Sequence, residues 1–192
     1  MSFFAFAKAP DLRPSRREFL TRSGLVLSGT AVALIAGREA LAKTGGKATE
    51  DDVKMLNTAL GAELEAVAAY QVGAESGLLQ KPVLDLAVTF QGHHKAHAQV
   101  LASTIEKLGG KPVSAKANYA FAVDTLKNQN DVLRFAASLE KGAVSAYLGA
   151  VPLFADRDLS KAAASILGDE AMHWAILRQA VGEVPVPGAF VG

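Results

Sequence analysis

One polar pattern occurs twice in this chain, and its spacing leaves few folds open. Glu63 is followed seven residues later by Tyr70, and then by His94-x-x-His97. Glu140 is followed seven residues later by Tyr147, and then by Glu170-x-x-His173. Glu63 precedes His97 by 34 residues, and Glu140 precedes His173 by 33. On an α-helix, residues i and i+3 share a face about one turn apart, and i and i+7 return to nearly the same azimuth two turns along. Each x-x-His pair therefore aims two side chains at one point, and each Glu–Tyr pair sets a phenol about 10 Å further along the same stripe. The stripes are otherwise apolar: Ala59, Leu60 and Val67 surround Glu63, and Ala136, Leu139 and Val144 surround Glu140. A lone carboxylate facing a core is costly. Converging carboxylates and imidazoles become tolerable when cations lie between them.

Four helices carry the pattern, and nothing reads as strands. The first is expected over about 50–76, with Thr49 as N-cap and Glu50, Asp51 and Asp52 in a first turn that the helix dipole favours. Val53, Leu56, Leu60, Leu64 and Val67 follow the helical spacing. The second starts at Pro82 and stops near residue 108, before Gly109-Gly110 and Pro112. The third starts at Asn130 or Asp131 and runs to about 154, where Pro152 kinks or finishes it. The fourth runs over about 158–181, capped by Asp158 or Ser160 and stopped at Gly182. Short links make helices 1–2 and 3–4 antiparallel pairs. Between helices 2 and 3 lie roughly 20 residues, long enough to travel the length of a bundle. Tyr119, Phe121, Val123 and Leu126 would anchor that crossover. Mid-helix Gly61, Gly92, Gly142 and Gly149 suit close helix approach or room beside a site, and general Ala/Gly richness explains any one of them equally well.

The N-terminus reads as a targeting segment. Arg16-Arg17 with Phe19 and Leu20 precedes a 14-residue apolar stretch (24–37) and an Ala40-Leu41-Ala42 cleavage pattern. The stretch is short of the roughly 20 residues a spanning helix needs. The order resembles a twin-arginine export signal. An ordinary secretory signal and an uncleaved anchor are the other readings. The twin-arginine resemblance implies passage of a folded chain through the twin-arginine translocase, periplasmic localisation and no stable membrane anchor after cleavage. Residues 1–42 would then be removed, and 43–192 would form one domain. The removed segment holds six Lys/Arg and three acids, so the whole-chain charge of +1 becomes −2 in the remainder. No basic patch is left for nucleic acid. The absence of cysteine excludes thiolate metal sites and Cys nucleophiles, so a metal must be held by His and carboxylates.

The doubled arrangement resembles the di-metal carboxylate pattern of four-helix bundles, one Glu from each of two helices and Glu-x-x-His from each of the other two, with His94 in the place of one Glu. "LNTALGAELEAVAAYQ" (56–71), "HAQVLASTIEKLGGKP" (97–112) and "LGDEAMHWAIL" (167–177) resemble helices of bacterioferritin and rubrerythrin relatives. The resemblance covers most of 50–181 and implies a ferritin-like four-helix bundle, two antiparallel hairpins joined by a long crossover. The implied metal ligands are Glu63, His97, Glu140, Glu170 and His173. His94 stands where the family has a bridging Glu and is the sixth candidate. Imidazole gives one lone pair to one metal and no negative charge, so the expected site is a dinuclear one with a single carboxylate bridge or a mononuclear one. Two Fe ions are expected, with Mn or Zn also suited to the donor set.

Several neighbours compete or assist. Glu65 lies about 200° around the helix from Glu63, so only one of them faces inward, and the Tyr at +7 favours Glu63. His93 is i, i+4 to His97 and is expected to be solvated or to lie behind the ligands. Asp169 is i, i+4 to His173 and would orient it. Tyr70 and Tyr147 are candidate catalytic or hydrogen-bonding groups, or plain packing residues. Trp174 belongs to the core. The resemblance implies an exported protein whose metal ions react with O2 or peroxide, of ferroxidase or peroxidase type. The rival readings are a non-catalytic metal-sequestering or stress-protective bundle and a metal-free structural one. A homodimer is compatible with either.

Overall fold

A computed structural model describes residues 46–191, and the expected signal segment 1–42 lies outside them. Four α-helices order the described residues: α1 (Gly46–Glu75), α2 (Lys81–Lys107), α3 (Gln129–Ala150) and α4 (Arg157–Ala180). No strand occurs among the described residues. None of the described helices is long and apolar enough to cross a membrane.

Two apolar clusters fix how the helices align. One joins Leu56 and Leu60 of α1 to Leu101 and Ile105 of α2, Tyr147 of α3 and Leu159 and Ile166 of α4. The other joins Tyr70, Phe90, Leu133 and Leu177, one from each helix. In α1 and α4 the chain meets the first cluster before the second; in α2 and α3 it meets the second first. So α1 and α2 are antiparallel, α3 and α4 are antiparallel, and α2 and α3 are parallel, as the long crossover requires. Between the clusters each helix buries polar side chains: Glu63 on α1, His94 on α2, Glu140 on α3, and Glu170 and His173 on α4. The core is thus split into two apolar layers with a charged layer between them.

The helix ends follow local chemistry. Pro82 opens α2 in its first turn, and Gly109, at φ +79°, ends it in the left-handed region that glycine adopts without steric cost. A Cβ on the next residue, Gly110, would lie 2.6 Å from Val53 Cγ1, so this turn packs directly on α1. Asn128 caps α3 in a reciprocal capping box with Asp131, two positions earlier than the expected start. Asp156, not Asp158 or Ser160, caps α4, accepting from the Asp158 and Leu159 amides. Pro152 lies in a single 3-10 turn (Val151–Leu153) that finishes α3.

Three expectations need correction. α1 starts at Gly46, so Thr49 lies within the helix and Glu50, Asp51 and Asp52 lie beyond its first turn. Asp52 is 2 % exposed and instead accepts from the Ala155 and Asp156 amides at 2.9 and 3.2 Å, tying α1 to the α3–α4 link. Val123 is 50 % exposed and anchors nothing. The crossover is held by Phe121 against Phe135 of α3, and by Asn57 of α1, which donates to Lys111 O and accepts from the Val113 amide. Finally, a Cβ at Gly61, Gly92, Gly142 or Gly149 would meet nothing within 4 Å, so none marks a close helix contact. The tight approach is at Gly73, where a Cβ would lie 3.2 Å from Val132.

Candidate metal centre

The charged layer gathers Glu63 from α1, His94 and His97 from α2, Glu140 from α3 and Glu170 and His173 from α4. Every one except His97 is at most 3 % exposed. The i, i+3 spacing delivers the α2 and α4 pairs to one level, and the antiparallel pairing brings Glu63 and Glu140 to face them. Glu65 is only half-buried and stays outside the cluster, as its 200° offset requires.

The donors fall into two overlapping groups. Glu63, His94, His97 and Glu170 each place one ligand atom within 4.8 Å of the others, and so do His94, Glu140, Glu170 and His173. Glu170 is shared: its Oε1 is 3.1 Å from His97 Nδ1 and its Oε2 is 3.5 Å from His173 Nδ1. His94 is shared too: Nδ1 lies 2.8 Å from Glu63 Oε2 and Nε2 lies 3.2 Å from Glu140 Oε1. One carboxylate and one imidazole therefore belong to both groups, with His94 Nδ1 3.7 Å from Glu170 Oε1.

The tyrosines reach across the bundle. Tyr147 Oη donates to Glu63 Oε1 at 2.6 Å, and Tyr70 Oη donates to Glu140 Oε1. Each phenol holds the carboxylate of the opposite hairpin, not the one seven residues before it. Asp169 faces the imidazoles from outside: its Oδ2 lies 3.4 Å from Nε2 of both His97 and His173 and 3.2 Å from His93 Nδ1. His93 also lies 2.8 Å from His173 Nε2, while 44 % of its side chain is exposed. It is the polar layer's outermost imidazole. Trp174 is buried, with the Arg178 guanidinium over its ring.

The electrostatics follow from crowding in a dry interior. Burial works against every charge here, but the pairings override it. Burial would lower the imidazole of His94, yet hydrogen bonds to Glu140 and Glu63 hold its pKa at about 10. The same opposition leaves His97 at about 11, through Asp169, Glu170 and Glu63, and His173 at about 9, through Glu140 and Glu170. Glu63 falls to about 2 because His94 and His97 outweigh its burial, and Glu140 is lowered in the same way by His173 and His94. Glu170 moves the other way: burial raises it against the pull of His173 and His97. Burial and the facing carboxylates, Glu140 and Glu63 respectively, push the phenols of Tyr70 and Tyr147 up, so both remain protonated donors.

Among the described residues, five buried side-chain atoms lack a hydrogen-bond partner: His97 Nδ1, His173 Nδ1, Glu140 Oε2 and both oxygens of Glu170. The 3.1 Å approach of His97 to Glu170 is an ion-pair contact without hydrogen-bond alignment. An unsatisfied buried group costs about 1–3 kcal/mol. All five atoms belong to the two donor groups, and all are good ligands for Fe, Mn or Zn. The residues fit a metal better than they fit one another. His94 differs, since both its nitrogens are already bonded to carboxylates.

A family model described as "Ferritin-like domain" matches residues 51–183. A sequence comparison with curated proteins finds no match. Among solved structures, the fold is similar to a conserved hypothetical protein of Mycobacterium tuberculosis (TM-score 0.65, 20 % identity, covering 74 % of this chain and 99 % of that one). It is similar to the bacterioferritin of Desulfovibrio desulfuricans, described with its diiron site in different catalytic states (TM-score 0.65, 18 % identity, covering 72 % and 84 %). It is also similar to ferritin-like, diiron-carboxylate proteins of Bacillus anthracis (TM-score 0.61, 18 % identity, covering 71 % and 99 %).

Proposed function

The chain belongs to the ferritin-like domain family, and on that premise we propose that it is an exported protein whose centre holds two iron or manganese ions and reacts with dioxygen or peroxide. The observation that carries this reading is the pair of overlapping donor groups that share Glu170 and His94. Glu63 and His97 would hold one ion, Glu140 and His173 the other, with Glu170 between them. The neighbours described as diiron proteins supply the precedent for iron. Bound there, the metal would supply the electrons that the oxidant takes up.

The chain's own residues prepare the site. The Asp169 carboxylate lies 3.4 Å from Nε2 of both His97 and His173, and His93 Nδ1 lies 2.8 Å from His173 Nε2, so these outer contacts engage Nε2 and leave each Nδ1 to face inward. Tyr147 and Tyr70 fix one oxygen each of Glu63 and Glu140 and supply no competing charge. The apolar layers on either side keep bulk water out and sharpen every charge interaction between them. Export rests on Arg16-Arg17, the apolar run and the Ala40-Leu41-Ala42 pattern. Chelator-treated protein loaded with Fe(II) without oxygen, then exposed to O2 or peroxide, is expected to oxidise iron far faster than Fe(II) in buffer. Oxidation at the buffer rate would contradict the reading.

One observation favours a second reading. His94 is bonded to both single carboxylates, and three Glu carry one charge too few for two divalent ions. A centre in which His94 keeps those bonds would hold one ion, with zinc favoured by the extra imidazole, and would sequester it without turnover.

A further inference from the structure

Between α1 and α3 a cleft of about 430 Å³ opens onto the centre. Glu63, His94, Glu140 and Tyr147 line its inner end, and all four are at most 5 % exposed. Its walls are mostly apolar: Ala59, Ala62 and Ala66 on one side, Gly142, Ala143 and Ala146 on the other, with the larger Met55, Leu139 and Leu153 beside them. A Cβ at Gly142 would meet nothing within 4 Å, so the space there is real.

The volume and the chemistry narrow the occupant. A metal ion or a two-atom oxidant needs only a narrow passage, whereas about 300–1,000 Å³ is the range of pockets that hold organic ligands. Among the described residues no Lys or Arg lines the cleft, its imidazole His94 is already bonded to Glu63 and Glu140, and Glu65 stands on its wall, so a carboxylate or phosphate would find no free counter-charge. A second copy meeting this face about a two-fold axis would present the same hollow, whose large side chains, Met55, Leu139 and Leu153, already form part of this wall. We propose that this cleft seats a small, neutral, largely apolar organic molecule with one end against Glu63, His94, Glu140 and Tyr147. The molecule's role as a substrate rests on the reading of the centre as a reactive metal site; the seat itself needs only the protein.

The test is binding of 1-naphthol, a neutral probe, and of 1-naphthoate, its anionic counterpart, to the full chain. It is made on chelator-treated protein and on protein loaded with Zn(II), with Gly142→Leu filling the cleft and Gly149→Leu as a control off its wall. Leucine favours a helix more than glycine does, so neither variant removes a fold contact. We expect naphthol to bind at least tenfold more tightly than naphthoate, and Gly142→Leu to weaken naphthol at least tenfold while Gly149→Leu leaves it unchanged. Equal affinity for the two probes, or naphthol binding insensitive to Gly142→Leu, would overturn the proposal. So would a concentration-dependent dimer that Gly142→Leu abolishes, which would assign the cleft to a second copy. Naphthol binding by a chain that takes up no metal leaves the seat standing and sinks the metal reading. Metal uptake without naphthol binding does the reverse.

Discussion

His94 is held from both sides, by Glu63 through Nδ1 and by Glu140 through Nε2. Beside it, 3.7 Å from Nδ1, Glu170 presents two oxygens with no hydrogen-bond partner. Hydrogen bonds satisfy His94 and leave Glu170 without a partner. A His94→Glu variant would put a second shared carboxylate beside Glu170 and bring the Glu count to the four that two divalent ions need. It is expected to bind the second ion on the order of tenfold more tightly, the change that about 1.4 kcal/mol makes. Calorimetric titration with Mn(II) checks this, and an unchanged second affinity would contradict the role given to His94. At this scale the sequence showed which residues converge, because i, i+3 and i, i+7 spacing fixes azimuth on a helix. It did not show whose carboxylate each tyrosine would reach. Tyr70 and Tyr147 cross to the opposite hairpin, and a partner 70 or 84 residues away is set by how hairpins pack, not by helical period.

Among the elements, helix ends and links add polar contacts to the two apolar clusters. Asp52 is buried on α1 and accepts two amides of the α3–α4 link. Asp52→Ala would leave those amides without their acceptor and is expected to cost about 1–3 kcal/mol. A urea unfolding midpoint unchanged from the parent would contradict that assignment. Where an end is marked by a residue that cannot continue a helix, as at Pro82, Gly109 and Pro152, sequence and structure agree closely. The start of α1 was misread because acids before an apolar run look like a dipole-stabilised first turn. Asp52 instead serves a tertiary contact 103 residues away, which no local signal encodes. The open glycines teach the same lesson: Gly142 borders a cleft whose far wall belongs to α1.

For the whole molecule, two like hairpins enclose one charged layer between two apolar ones. That architecture was legible, since short links pair neighbouring helices and the crossover has only one economical path. The charged layer also makes stability depend on pH. In the chelator-treated protein, His94, His97 and His173 titrate at about 10, 11 and 9 against 6.5 ordinarily. Their contribution is full below pH 6.5 and is lost as pH rises through about 9–11. Glu63, at about 2 against 4.5, contributes above pH 4.5 and loses that contribution as pH falls toward 2. Urea midpoints are therefore expected to peak near pH 4.5–6.5 and to fall on both sides. A flat profile from 6.5 to 11 would contradict the imidazole pairings.

The central claim is that the buried donors are a metal centre, and its most direct test is elemental analysis of the protein purified from the compartment in which it resides. Two iron or manganese ions per chain, removable by chelator with loss of thermal stability, is the predicted result. A chain free of metal, with stability indifferent to chelator, would contradict it.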